Sequence, residues 1–119
     1  MFVLLEHKTT SGPGDVHWDL IVQVPGEDLL PTWRLADNPL ASDRPIAAER
    51  IADHRPAYLA YEGEVSGERG SVRRIDWGEA DVVRFGETGL YVRLSGQRLK
   101  GHFELAPGVS GGLRFARTP

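Results

Sequence analysis

Glycine and proline cut this chain into short pieces, and that punctuation constrains the fold more than any other feature. Fourteen glycines and eight prolines among 119 residues leave little room for a helix of ordinary length, because each weakens or ends one. Between them apolar and polar residues alternate, the period of a half-buried strand. FVLLE (2–6), DVHWDLIVQV (the strand at 16–24), PTWRLA (31–36), SVRRIDW (71–77), ADVVRF (80–85), LYVRLS (90–95), RLKGHFELA (98–106) and LRFAR (113–117) read as strands. IAAERIA (46–52) reads as a strand rather than a helical turn, and DHRPAYLAYEG (53–63) as a segment holding one short helical turn. KTTSGPGD (8–15), DNPLASDRP (37–45), SGERG (66–70), GETG (86–89) and PGVSGG (107–112) read as loops and turns. The expectation is an all-β chain: a small antiparallel β-barrel of about eight strands with little helix, closed so that no edge is exposed.

The length suits one domain, residues 1–119, with a single core. At 40% hydrophobic and 26% charged the composition is that of a globular protein. No apolar run approaches the roughly 18 residues of a membrane span, and MFVLLEHK is too short and too soon charged for a signal peptide. The chain has no cysteine, which excludes disulfides and suits a reducing cytoplasm, the expected location. A net charge of −3 argues against long-range capture of nucleic acid. Local arginines could still grip a few phosphates.

The second strand is unusual on one side. Residues two apart on a strand point the same way, so Trp18, Leu20, Val22 and Val24 form an ordinary core face. His17, Asp19, Ile21 and Gln23 share the other. If the first two strands pair across the 8–15 loop, His7 meets His17 at the same end of the sheet. Two imidazoles and one carboxylate leave coordination positions open to water or substrate, as catalytic metal sites require. The competing reading is three half-exposed strand residues with incidental neighbours.

Four motifs in order resemble the N-terminal 3′-phosphoesterase domain of bacterial DNA ligase D. LLEH followed by HWDLIV is similar to that family's H…H-[YW]-D-x-R signature, and IADHRPAYLAYEG to its D-H-P-x-x-Y-x-x-[FY]-E-G segment. EVSGERGSVRRIDWG resembles its glycine-rich turn and following strand, and LYVRLSGQRLKGHFEL its closing hairpin. The resemblance covers roughly residues 2–106. It implies a small barrel holding a divalent metal, manganese before zinc, on His7, His17 and Asp19. It makes His54 and Tyr58 the catalytic pair beside the phosphate. The substrates it implies are DNA or RNA-tipped DNA 3′ ends, which lose a 3′-terminal ribonucleoside or 3′-phosphate during repair and end joining. A separate ligase or polymerase would complete the repair, and no membrane is involved.

The departures from the pattern fall on its arginines. The family arginine two residues after the aspartate is Ile21 here, another aligns with Ile46, and a basic position falls near Asp37. Arg34, Arg44, Arg50 and Arg69 are the available replacements. Arg44 and Arg50 stand ten and four residues before His54, so an extended segment puts them on its face, and they are taken as the phosphate-binding pair. Ile21, two residues from Asp19, is expected to lie exposed beside the ion, where an arginine would raise activity. Trp33 and Trp77 are expected to pack the barrel and His102 to face solvent. The reading is a metal-dependent 3′-end phosphoesterase weakened by its missing arginines. The alternative is a non-catalytic, metal-containing DNA-end binding module of the same fold.

Overall fold

The computed structural model describes residues 1–9, 15–65, 69–109 and 111–119. The expected loop at 8–15 and turns at 66–70 and 107–112 therefore lie partly outside the described residues.

Among the described residues there are nine strands: β1 (Phe2–Lys8), β2 (Val16–Val22), β3 (Leu30–Leu35), β4 (Ile46–His54), β5 (Gly63–Glu64), β6 (Ser71–Gly86), β7 (Gly89–Gly96), β8 (Lys100–Pro107) and β9 (Leu113–Arg117). Every pairing is antiparallel. The order β1-β2-β3-β4-β9-β8-β7-β6, closed by β1 against β6, makes an eight-stranded ring, with β5 added on the outer side of β6 in the pairing order. Among the described residues helix is confined to one 3₁₀ turn, Pro56–Leu59, which begins after an extended Arg55; proline disfavours helix before itself and suits the first helical position. No helix of the described residues is long and apolar enough to cross a membrane.

All eight ring strands feed one core. Phe2, Leu4, Leu20, Val22, Trp33, Leu35, Leu90, Val92, Leu94, Phe103, Leu105 and Phe115 form it, joined from β4 by Ile46 and from β6 by the partly buried Ile75, Ala80, Val82 and Phe85. Phe103 and Phe115 stack face to face, 4.9 Å between ring centroids.

A second, smaller cluster lies on the opposite faces of β1 and β2. Val3, Leu5, Ile21, Leu30 and Val72 are buried there, with Tyr58, Leu59 and Val65 packed against them. The 56–65 segment thus covers part of the sheet's other face. This explains why FVLL is a continuous apolar run: β1 is buried on both faces. Each of these aliphatic side chains contributes about 1.5–3 kcal/mol of burial, so the cover is held firmly. Ile21, expected to be exposed, is 0% exposed. Alternation along β2 identified its side correctly but could not show that a distant segment covers it.

Two further expectations are corrected. The pieces 71–77 and 80–85 are one 16-residue strand. Gly78 between them is no turn: a Cβ there would sit 2.1 Å from the Ser95 carbonyl, so glycine permits a close backbone approach. Trp77 does not pack the core but stays 38% exposed, with the Arg74 guanidinium 4.6 Å from its ring. Trp33 is buried as expected, and His102 faces solvent.

Asp76 was not singled out by the sequence reading, yet it is fully buried. It anchors the β7–β8 turn by accepting hydrogen bonds from the backbone N–H groups of Gln97 (2.9 Å), Arg98 (3.2 Å) and Leu99 (2.7 Å). The turn's Gly96 has no room for a side chain, since a Cβ would meet the Asp76 carboxylate at 2.4 Å.

Candidate functional site

The β1–β2 register sets His7 directly opposite His17 and Leu5 opposite Asp19. Arg34 of β3 is the residue opposite Asp19 on its other side. Along this shared face the chemistry changes in two steps. On β1 it runs Val3, Leu5, His7, and on β2 it runs Ile21, Asp19, His17, from the covered apolar cluster into polar side chains.

His7, His17 and Asp19 offer ligand atoms that all lie within 4.8 Å of one another. His7 Nδ1 is 3.8 Å from Asp19 Oδ2, and His17 Nε2 is 3.8 Å from Asp19 Oδ1. Neither contact is a hydrogen bond. Donor atoms held by one tetrahedral zinc-sized ion stand about 3.4 Å apart, so the two histidine–carboxylate spacings are a few tenths of an ångström wider than in a loaded site. His17 Nε2 and Asp19 Oδ1 are buried with no hydrogen-bond partner. Burying such atoms unpaired is costly, and a cation among them would relieve both. The donor set thus fits a divalent ion on its geometry and on its unmet polar demand.

The backbone fixes the tautomer this requires. His7 Nε2 lies 2.8 Å from the Arg69 carbonyl, which can only accept. In the neutral ring Nε2 therefore carries the proton and Nδ1 offers a lone pair on the Asp19 side, the arrangement in which an outer partner orients a metal-binding imidazole. Gly70 holds that carbonyl's neighbourhood: at φ +96° a Cβ would fall 1.9 Å from the Lys8 carbonyl.

Across an open cleft of about 280 Å³ stand His54 and Tyr58, with His7, Asp19, Arg34, Ile51, Ala52, Val65 and Arg69 completing the wall. The His54 and Tyr58 rings meet edge-on, 5.0 Å between centroids. Thr32 Oγ1 donates to the Leu30 carbonyl at 2.9 Å, so its one proton is used. It then accepts from His54 Nδ1 at 2.9 Å, and the Ala52 carbonyl lies 3.2 Å from the same nitrogen. His54 is accordingly protonated at Nδ1, leaving Nε2 for the cleft. Thr32, in LPTWRL, was missed; it could have been found as the residue two before Arg34, on the same strand face.

The arginines divide differently from expectation. Pro31 has no N–H to give a ladder, and there the β3–β4 register slips, so that Leu30–Thr32 faces His54–Ile51. One extra residue on β4 reverses its faces. Arg50 consequently does not share the His54 side. It lies opposite Trp33, 5.1 Å from that ring and 5.3 Å from the Phe85 ring, and pairs with Asp53 at 2.8 Å. Arg44 lines a separate crevice with Pro39, Ser42, Asp43, Phe115 and Arg117. Neither Arg44 nor Arg50 lines the cleft, whereas Arg34 and Arg69 do.

Burial pushes His17 below the ordinary histidine value of 6.5; Asp19 opposes that shift, and Arg34 and His7 add to it. Burial likewise lowers His54, against the pull of Asp19. Both imidazoles are thus neutral at neutral pH, the form that binds metal. A lowered value means that protons compete for His17 only in acid. Manganese affinity should be level from about pH 8 to 7 and weaken in acid, below 6.5, where protons begin to compete for His17. Calorimetric titrations at several pH values test this; an affinity unchanged at about pH 5 contradicts it.

No family model matches the chain, and no curated protein matches it.

Proposed function

We propose that this protein is a metal-dependent 3′-end phosphoesterase that trims DNA or RNA-tipped DNA ends. The observation that carries the reading is the cluster of His7, His17 and Asp19, with unmet buried polar atoms, of which His7 and Asp19 line the cleft shared with His54 and Tyr58. The resemblance of four ordered motifs to the DNA ligase D phosphoesterase domain supports the same chemistry and names manganese ahead of zinc. A divalent ion held there would polarise a phosphoryl oxygen and make a bound water a better nucleophile at neutral pH. The chain's own groups do the rest. His54 Nε2 accepts a hydrogen bond when neutral and donates one to a phosphate oxygen or leaving group when protonated. Tyr58 offers its phenol proton to a second phosphate oxygen. Ile51 and Val65 give the cleft apolar walls, which strengthen electrostatic contacts there.

A second reading, a metal-containing module that binds DNA ends without cutting them, draws on one observation: Ile21 is buried, and Arg44 and Arg50 lie elsewhere, so the cleft has fewer cations than the family pattern. One assay separates the two. Primer–templates ending in a 3′-ribonucleotide or a 3′-phosphate are incubated with and without manganese. Cleavage should require the metal, and His54→Ala should slow it by about 10²-fold or more, the usual range for a lost acid–base group. Metal-dependent end binding without product would establish the module; manganese-independent cleavage would refute the proposed enzyme.

A further inference from the structure

We propose that Arg34 is the phosphate-binding guanidinium of this cleft, and that it couples anion binding to metal binding. The inference rests on the phosphoester reading for its substrate class. Four features select Arg34. It lies directly across from Asp19 in the β2–β3 register. It lines the cleft with His54 and Tyr58. Its Nε is buried without a hydrogen-bond partner, 3.6 Å from Asp19 Oδ1 and too far to bond it. Its side chain is still 40% exposed, so an anion in the cleft can reach the guanidinium.

Arg34 and a metal ion compete for the same carboxylate. While the ion is absent, the Arg34 guanidinium stands 3.6 Å from the Asp19 carboxylate. An ion taken up by His7, His17 and Asp19 consumes that carboxylate's charge and leaves Arg34 beside a second positive centre. A phosphate resolves the repulsion by accepting hydrogen bonds from the guanidinium fork while facing the ion. Arg34 therefore weakens metal binding alone and strengthens it when phosphate is present. By linkage, phosphate and manganese each raise the other's affinity by one common factor. That factor should shrink when the guanidinium is removed.

The test uses the full chain, with manganese alone and then inorganic phosphate titrated into the manganese-loaded protein by calorimetry. Arg34→Gln should bind phosphate at least about tenfold more weakly, with manganese affinity equal to or above wild type. Arg34→Lys keeps the charge but not the fork and should fall between them; it carries the same comparison should the glutamine variant fold poorly. Wild-type phosphate affinity in these variants overturns the assignment. So does a parallel loss of manganese, which would make Arg34 a structural support for Asp19, and so does a loaded wild type that ignores phosphate. If phosphate binding depends on Arg34 but no 3′ end is cleaved, the phosphoesterase reading fails and the Arg34 assignment stands.

Discussion

Ile21→Arg should lower the melting temperature by about 15 °C, or prevent folding altogether. Ile21 is 0% exposed, packed with Val3, Leu5, Leu30 and Val72 beneath Tyr58, Leu59 and Val65. A buried charge without a partner costs about 3–5 kcal/mol, and the longer side chain adds overpacking. Domains of this length have only about 5–15 kcal/mol of stability, and each kcal/mol moves the melting point by about 4 °C. Ile21→Val removes one methyl group and should cost only about 1 kcal/mol. Thermal unfolding of the three proteins makes the comparison. An arginine variant with wild-type stability and faster turnover would mean that the 56–65 cover yields and the side chain reaches the cleft. The position that the motif resemblance assigns to an arginine is thus an apolar, covered site in this chain.

The contrast between Ile21 and His17 shows what this sequence discloses and what it withholds. Period-two alternation placed both on one face of β2, and the antiparallel pairing of β1 with β2 placed His7 opposite His17. Those relations are local or depend on one loop, so they can be read directly. Burial of Ile21 depends on residues 58–65 folding over the sheet, a contact across some 40 positions that no alternation encodes. Misplacement of Arg50 has a smaller cause. A single extra residue opposite Pro31 reverses the faces of β4, and counting by twos from His54 fails at that point. Pro31 was visible in LPTWRL and was the available warning. Gly78 misled in the other direction: it resembled a break between strands, while its service is to let two backbones touch. Asp76 was passed over because its partners are backbone groups, which carry no sequence signature, and Thr32 because its side-chain partner, His54, stands 22 residues away on another strand. Ring closure was anticipated only from the need to hide strand edges; the β1–β6 pairing supplies it.

Metal binding is the premise beneath both the phosphoester reading and the Arg34 coupling, and it stands on three side chains. Asp19 is the carboxylate that both imidazoles face, and it is 2% exposed. Its loss removes the charge that would hold a divalent ion and leaves two imidazole rings whose centroids are 4.5 Å apart. Loss of an outer-sphere partner typically costs about 10–100-fold in metal affinity, and a direct ligand should cost at least that. Asp19 is also a buried carboxylate whose Oδ1 has no hydrogen bond, so Asp19→Ala should not destabilise the metal-free fold through lost bonds at that oxygen. The deciding measurement is a calorimetric titration of manganese into the wild type and Asp19→Ala. The wild type should take up one ion per chain, and the variant should bind at least about 100-fold more weakly. Equal affinities in the two proteins would contradict the metal centre.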